Sequence, residues 1–170
     1  MTKTNDKIRL IALTGLFTAL VYVLTAFLHI PTIKGYVHIG DGAIFLAASV
    51  LPTPYAVFAG AIGAALSDGL SGYMIWVPAT VIIKAATALL FTSKHKKIIC
   101  TRNLISILPA LAICVGGYGL YSGLVIYHSL AAGFADAAAN AVQTLTSAIV
   151  YVSVGLSLDK TGAAKRIKAR

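Results

Sequence analysis

The sequence predicts an all-α integral membrane protein: a six-transmembrane-helix bundle with both termini cytoplasmic, forming a single membrane domain over residues 1–170. The first reason is composition, since 58% of the residues are hydrophobic and 11% are charged, whereas about 25% of an ordinary soluble domain is charged. The second is a series of long uncharged segments, and the third is the clustering of basic residues. The chain has 14 Lys and Arg against 5 Asp and Glu. In so apolar a chain we attribute this excess to membrane topology rather than to nucleic-acid binding.

Charge-free segments define the candidate spans, because a bilayer core of about 30 Å needs about 20 apolar residues of helix. Residues 10–33, 42–67, 103–135 and 137–158 carry no formal charge, and Lys84 is the only charge within 69–93. Segment 42–67 is interrupted by Pro52-Thr53-Pro54. It therefore forms either one kinked helix or two short helices that turn at the prolines.

The basic residues decide between these two topologies, since short loops rich in Lys and Arg stay in the cytoplasm. Most of them fall within 3–9, 94–102 and 160–170. Only a hairpin at the prolines brings all three clusters to the same side. We therefore predict spans at about 8–30, 40–53, 54–69, 74–92, 104–127 and 136–158. The second and third are short for a bilayer, so a re-entrant hairpin is the alternative there.

Polar side chains inside the predicted spans are functional candidates because a membrane buries them at a cost, about 2.5–3.5 kcal/mol for a central Lys. In span four, Thr80, Lys84 and Thr87 lie on one helical face with Trp76 above them. Lys84 either takes part in a ligand site or forms a buried ion pair with an Asp that only fixes helix packing.

Span six carries a second polar stripe. Its members recur at spacings of four, three and four residues, which places them on one face: Asp136, Asn140, Gln143 and Ser147. Polar and small residues also join membrane helices without any ligand, so helix packing is the alternative interpretation.

The predicted outer side collects acids, histidines and tyrosines. Asp41, Asp68 and Asp136 all map to outer ends of spans, where they can pair with Lys84 or meet an entering ligand. Most of the tyrosines are typical of an interfacial aromatic belt. The other members of this outer set are His29, Lys34, Tyr36, His38, Tyr73, Tyr118, Tyr121, Tyr127 and His128.

Two further patterns bear on function. Ala12, Gly15 and Ala19 in span one form a small-residue face that allows another helix to approach closely. The chain has no P-loop, no H-E-x-x-H and no intramembrane hydrolase signature, so an enzyme is not expected. A small proton-coupled secondary transporter is the alternative function, although no internal repeat supports it.

Short motifs follow one another along nearly the whole chain, from Ile8 to Leu158. They are the segment 35–42 opening span two, Pro52-x-Pro54 at the turn, Ser67-Asp68-Gly69 ending span three, Trp76-Val77-Pro78 leading to Lys84, and Asn140 in span six. In this order the motifs resemble the substrate-binding S component of an energy-coupling factor (ECF) transporter, and in particular the riboflavin-transporter-like family.

The resemblance implies a high-affinity subunit of the cell membrane that captures a vitamin or related micronutrient. Its implied partners are a transmembrane T component and two ATPase subunits, which would hydrolyse the ATP; no cofactor is expected. By resemblance, Asp41, Lys84 and Asn140 belong to the substrate site, and the face of Ala12, Gly15 and Ala19 docks on the T component. The nickel and cobalt members among S components start with a metal-binding Met-His segment, whereas this chain starts Met1-Thr2-Lys3, so a metal substrate is not expected.

Side-chain chemistry extends the predicted substrate site to His38, Asp68, Trp76 and Gln143. Lys84 favours a ligand with an anionic or carbonyl oxygen, Trp76 and the tyrosines favour an aromatic ring, and Asn140 with Gln143 offers donors and acceptors. A small heteroaromatic vitamin or precursor satisfies all three. Non-aromatic compounds such as biotin and pantothenate stay open.

Overall fold

The computed structural model describes residues 3–31 and 36–168, and most of these residues are helical. In chain order the elements are α1 (Lys3–Ala26), β1 (His29–Pro31), β2 (Tyr36–His38), α2 (Asp41–Val50), α3 (Thr53–Leu70), a 3₁₀ turn (Met74–Trp76), α4 (Val77–Leu90), α5 (Thr101–Ile105), α6 (Ile107–Tyr121), a π-helical turn (Ser122–Ile126), α7 (Leu130–Lys160) and α8 (Ala163–Ile167).

Three helical segments of the described chain are long and apolar enough to cross a membrane: Thr4–Ala26, Thr101–Ile126 and Leu130–Lys160. Two shorter apolar helices, Asp41–Val50 and Met74–Leu90, accompany them. The architecture is therefore that of an α-helical membrane protein, as predicted. The count of six spans and the side on which the termini lie stay predictions.

The predicted break at the prolines is confirmed. Leu51 is extended (φ −89°, ψ 153°) and ends α2, while Pro52 (φ −56°, ψ 146°) caps the start of α3. A residue that precedes proline avoids the helical region because the proline ring would clash with it. The chain therefore turns between two separate helices.

A short β-hairpin, which the sequence did not predict, follows α1. Strands β1 and β2 are antiparallel, with His29 opposite His38 and Pro31 opposite Tyr36. Span one was expected to run to residue 30, but the helix ends at Ala26. Lys34, one of the predicted outer residues, and residue 35 of the opening motif lie outside the described residues.

Helix α2 is the centre of the bundle, and all ten of its residues are buried. Gly42 allows α7 to pack closely against it, since a Cβ there would lie 2.8 Å from the Ser147 carbonyl oxygen. Gly63 does the same between α3 and α1, where a Cβ would lie 2.7 Å from the Thr18 carbonyl oxygen. A helix of about 15 Å is tolerated because other helices, not lipid, surround it.

The three basic clusters meet at one end of the bundle. The guanidinium of Arg9 donates to the carbonyl oxygen of Arg166. The buried ammonium of Lys168 donates to the carbonyl oxygens of His95 (2.6 Å) and Lys97 (3.0 Å). We call this the basic end. Because the three clusters lie together, they can all face the same side of a membrane, as the predicted cytoplasmic location requires.

Candidate functional site

A pocket opens at the end of the bundle opposite to the basic end. Its cavity volume is about 40 Å³, which is smaller than the roughly 300–1,000 Å³ of sites that enclose a drug-sized ligand. It lies between β2, the C-terminal end of α3, the start of α4, α6 and the N-terminal half of α7. The lining residues are Tyr36, Val37, His38, Asp68, Trp76, Thr80, Tyr118, Asp136, Ala139, Asn140 and Gln143.

Aromatic rings form one wall of the pocket. The ring centroids of Trp76 and Tyr118 are 5.8 Å apart with an interplanar angle of 65°, an edge-to-face arrangement typical of favourable aromatic pairs. The Tyr118 hydroxyl also forms a 3.0 Å hydrogen bond with the Thr80 hydroxyl. Tyr36 lines the pocket from the hairpin. Because these contacts fix the rings in place, the rings offer faces on which a planar ligand can stack.

Tyr36 joins the hairpin to the C-terminal end of α3. Its hydroxyl donates to Asp68 Oδ1 at 2.5 Å and lies 3.2 Å from the Ser67 hydroxyl. Its ring also packs against Tyr73, with centroids 4.7 Å apart. Burial and the negative charge of Asp68 both raise the pKa of Tyr36 above its ordinary value. The phenol therefore stays protonated and acts as a donor to the carboxylate.

His38 is buried and neutral. Its Nδ1 accepts a hydrogen bond from the Gly40 backbone N–H at 3.1 Å, which requires an unprotonated nitrogen. Burial lowers the pKa of His38 to about 3, with smaller contributions in the same direction from Lys84 and His29 and an opposing one from Asp41. The imidazole thus adds no positive charge to the pocket near neutral pH.

Asp41 and Lys84 form a buried ion pair behind the pocket wall. Lys84 Nζ is 2.6 Å from Asp41 Oδ1, and the side chains are 1% and 2% exposed. The second carboxylate oxygen accepts from Gln143 Nε2 at 2.9 Å. Lys84 Nζ also lies 5.2 Å from the centroid of the Tyr118 ring. The pair therefore supports two lining residues from behind and does not itself line the pocket.

The structure brings together five of the seven side chains predicted for the substrate site: His38, Asp68, Trp76, Asn140 and Gln143 all line the pocket. Asp41 and Lys84 form a buried ion pair with each other and do not line the pocket. Whether any of the seven binds a ligand stays a proposal.

Sequence reasoning proposed the tyrosines as a group for ring stacking but did not single out Tyr36 and Tyr118, which line the pocket. Both belonged to the outer set that was mostly attributed to an aromatic belt. Residue spacing does not single out Tyr118 because α6 is apolar on every face, as its sequence ILPALAICVGGYGLY shows. Thr80 did carry a signal, since it lies on the same helical face as Lys84.

The small-residue face of α1 is turned away from the bundle. Ala12, Gly15 and Ala19 are exposed, and nothing lies within 4 Å of a Cβ placed on Gly15. On the opposite side of the helix, Phe17 is 6% exposed and Val21 is fully buried. No described part of the chain covers this face.

The apolar helices define a multi-pass α-helical membrane protein with a pocket between its helices. A family model described as "ECF-type riboflavin transporter, S component" matches residues 5–160. The chain belongs to this family, as its motifs had indicated. A search of curated proteins finds no match. Family membership makes the chain a transporter subunit rather than an enzyme, and it does not favour the proton-coupled alternative.

Proposed function

We propose that this chain captures a vitamin or a related small heteroaromatic micronutrient for an ATP-driven ECF-type importer. The observation that carries the proposal is the pocket walled by Tyr36, Trp76 and Tyr118 at the end remote from the basic residues. Aromatic faces stack a planar ring, and polar groups around them orient its edges. The family's name makes riboflavin the first compound to test.

Each predicted substrate residue has a role in this proposal. Trp76 stacks on the ring, while Asp68, Asn140 and Gln143 bind its polar edges and His38 closes the hairpin side. The ion pair of Asp41 and Lys84 acts through Gln143, because Asp41 holds its amide. In this proposal the two charged residues are positioning residues.

Topology and partners follow from the same proposal. Six spans with both termini in the cytoplasm would turn the basic end inward and the pocket outward, where a nutrient arrives at the cytoplasmic membrane. The exposed face of Ala12, Gly15 and Ala19 would dock on the transmembrane T component. Two ATPase subunits would supply the energy by hydrolysing ATP.

The test is uptake of labelled riboflavin and other heteroaromatic vitamins by cells that express the chain with a T component and two ATPases. The matched control carries ATPases with their P-loop lysines replaced. Uptake that disappears in this control and survives brief treatment with an uncoupler supports the proposal. Uptake that persists without active ATPases and is abolished by the uncoupler would instead identify a proton-coupled carrier.

A further inference from the structure

We infer that the pocket selects its ligand by charge: it takes a heteroaromatic ring that carries a cationic amino group, accepts neutral donor-bearing rings less well, and rejects carboxylated or phosphorylated rings. This inference rests on the proposed function and names the substrate class of the same site. It reverses the expectation drawn from the sequence, in which Lys84 favoured an anionic or carbonyl oxygen.

The first step is that the positive charge of Lys84 is not available to a ligand. Its ammonium lies 2.6 Å from Asp41 and is 1% exposed, and it does not line the pocket. An anionic ligand would have to displace Asp41, which would leave a buried carboxylate without its partner. The pocket therefore lacks the cation that an anionic substrate needs.

The second step is that the pocket lining is acidic. Asp68 and Asp136 line it, and within residues 3–31 and 36–168 no Lys or Arg does. The Tyr36 hydroxyl donates a 2.5 Å hydrogen bond to Asp68 Oδ1, so this oxygen acts as an acceptor. His38 is neutral, since burial holds its pKa at about 3. The net charge of the described lining is negative.

The third step concerns Oδ2 of Asp68, an acceptor that lacks a well-placed hydrogen-bond donor. Asp68 is 5% exposed, and the Thr80 hydroxyl interacts with its carboxyl group. Its Oδ2 is nevertheless buried without a hydrogen bond of regular geometry among the described residues. A buried acceptor left unpaired is unfavourable. A ligand N–H or ammonium group at this place would satisfy it.

The fourth step concerns Gln143 and the aromatic wall. Gln143 Nε2 donates to Asp41 at 2.9 Å and to Cys114 Sγ at 3.8 Å. Both of its N–H groups are thus engaged, and the carbonyl oxygen is the amide group left to face a ligand donor. Trp76, Tyr36 and Tyr118 present aromatic rings along the same pocket, and such faces attract cations. Charge, hydrogen-bond polarity and ring electrostatics all favour the same ligand class.

The test uses three pterins that differ in one substituent: 6-aminomethylpterin (cationic), 6-hydroxymethylpterin (neutral) and pterin-6-carboxylate (anionic). Isothermal titration calorimetry measures their affinities for the purified full chain at pH 7. We expect each step from cation to neutral to anion to weaken binding about tenfold, as expected for one charge near a partly screened carboxylate. Equal affinities, or tightest binding of the carboxylate, would overturn the inference.

Asp68→Asn and Asp136→Asn should each reduce severalfold the difference in affinity between the cationic and the neutral pterin. Asp136 is at the half-exposed mouth, so its variant serves if the Asp68 variant does not fold. Asp6→Asn at the basic end is the matched control and should leave the order unchanged. Because Lys34 lies outside the described residues, Lys34→Met is measured in parallel to show whether its charge affects the order of affinities. If this difference in affinity is unchanged in both pocket variants, the inference is contradicted.

The two proposals fail in different ways. If riboflavin binds and ATPase-dependent uptake is found, but the pterins rank by some property other than charge, the capture function stands and the charge selection falls. If none of the three pterins binds, the charge inference is wrong as stated. ATPase-independent uptake would remove the capture function whatever the order of affinities.

Discussion

The ammonium of Lys84 lies 2.6 Å from the carboxylate of Asp41, and this ion pair joins the middle of α4 to the first residue of α2. Both side chains are almost completely buried. Gln143 of α7 donates to the same carboxylate. One buried charge cluster thus connects three helices directly behind the pocket wall.

Replacing only one of the two charged residues of this ion pair should destabilise the protein severely. Lys84→Met leaves Asp41 buried and unpaired, and we expect a loss of about 3–5 kcal/mol in the free energy of unfolding. The double variant Lys84→Met, Asp41→Leu should recover most of that loss because no charge stays buried. Reversible denaturation in detergent measures both. Equal destabilisation by the single and double variants would show that the pair is not the source of the effect.

Removing the aromatic face of Trp76 should weaken ligand binding. Trp76→Leu should raise the dissociation constant about tenfold, the upper part of the range for one aromatic contact, whereas Trp76→Phe should lose less. Calorimetry with whichever vitamin or pterin binds the unmodified protein gives the ratio. Tyr22→Leu, on α1 and away from the pocket lining, is the control. If the Trp76 and Tyr22 variants behave alike, stacking on Trp76 is excluded.

Filling the small-residue face of α1 should separate binding from transport. Gly15→Leu with Ala19→Leu adds bulk to exposed positions, so ligand affinity should stay within twofold while ATPase-dependent uptake is lost, because close helix approach is blocked. Ala112→Leu on the exposed side of α6 is the matched control and should transport normally. Normal uptake by the double variant would locate the docking surface elsewhere.

His38 should make stability fall in acid. Its pKa is lowered to about 3 by burial, whereas an unfolded His titrates near 6.5. Between these values only the unfolded state takes up the proton, so the free energy of unfolding declines as the pH drops from about 6.5, by at most about 1.4 kcal/mol per pH unit. Above pH 6.5 this residue contributes no pH dependence.

The measurement is the free energy of unfolding of the unmodified protein and of His38→Gln between pH 4 and 7. His29, Asp41 and Lys84 interact electrostatically with His38, so the difference between the two proteins isolates its contribution. That difference should change steadily with pH below 6.5. His95→Gln, whose side chain is exposed at the basic end, should run parallel to the unmodified protein. A constant difference for His38→Gln would contradict the lowered pKa.

Local patterns were sufficient for much of the fold. The turn between α2 and α3 follows from Pro52 and Pro54, and the apolar helices follow from the absence of charge. The hairpin of His29 and Tyr36 was missed because strands of three residues carry no periodic signal.

The pocket was predicted in part. Trp76 and the polar stripe of α7 were found because polar residues in an apolar helix stand out in the sequence. Tyr118 was not distinguished from the other tyrosines because its position is defined by its contact with Trp76. Asp41 and Lys84 were found as residues, but their relation to the pocket was left open between two interpretations.

By itself, the sequence determined that this is a helical membrane protein with basic residues in three clusters, and its motifs indicated the family. These properties depend on composition and on spacing along one helix, which a chain displays before it folds. Only the tertiary structure decided that Lys84 pairs with Asp41 and that Asp68 and Asp136 line the pocket. Those relations join residues far apart in the chain, and packing between helices sets which charge is neutralised and which one faces the pocket.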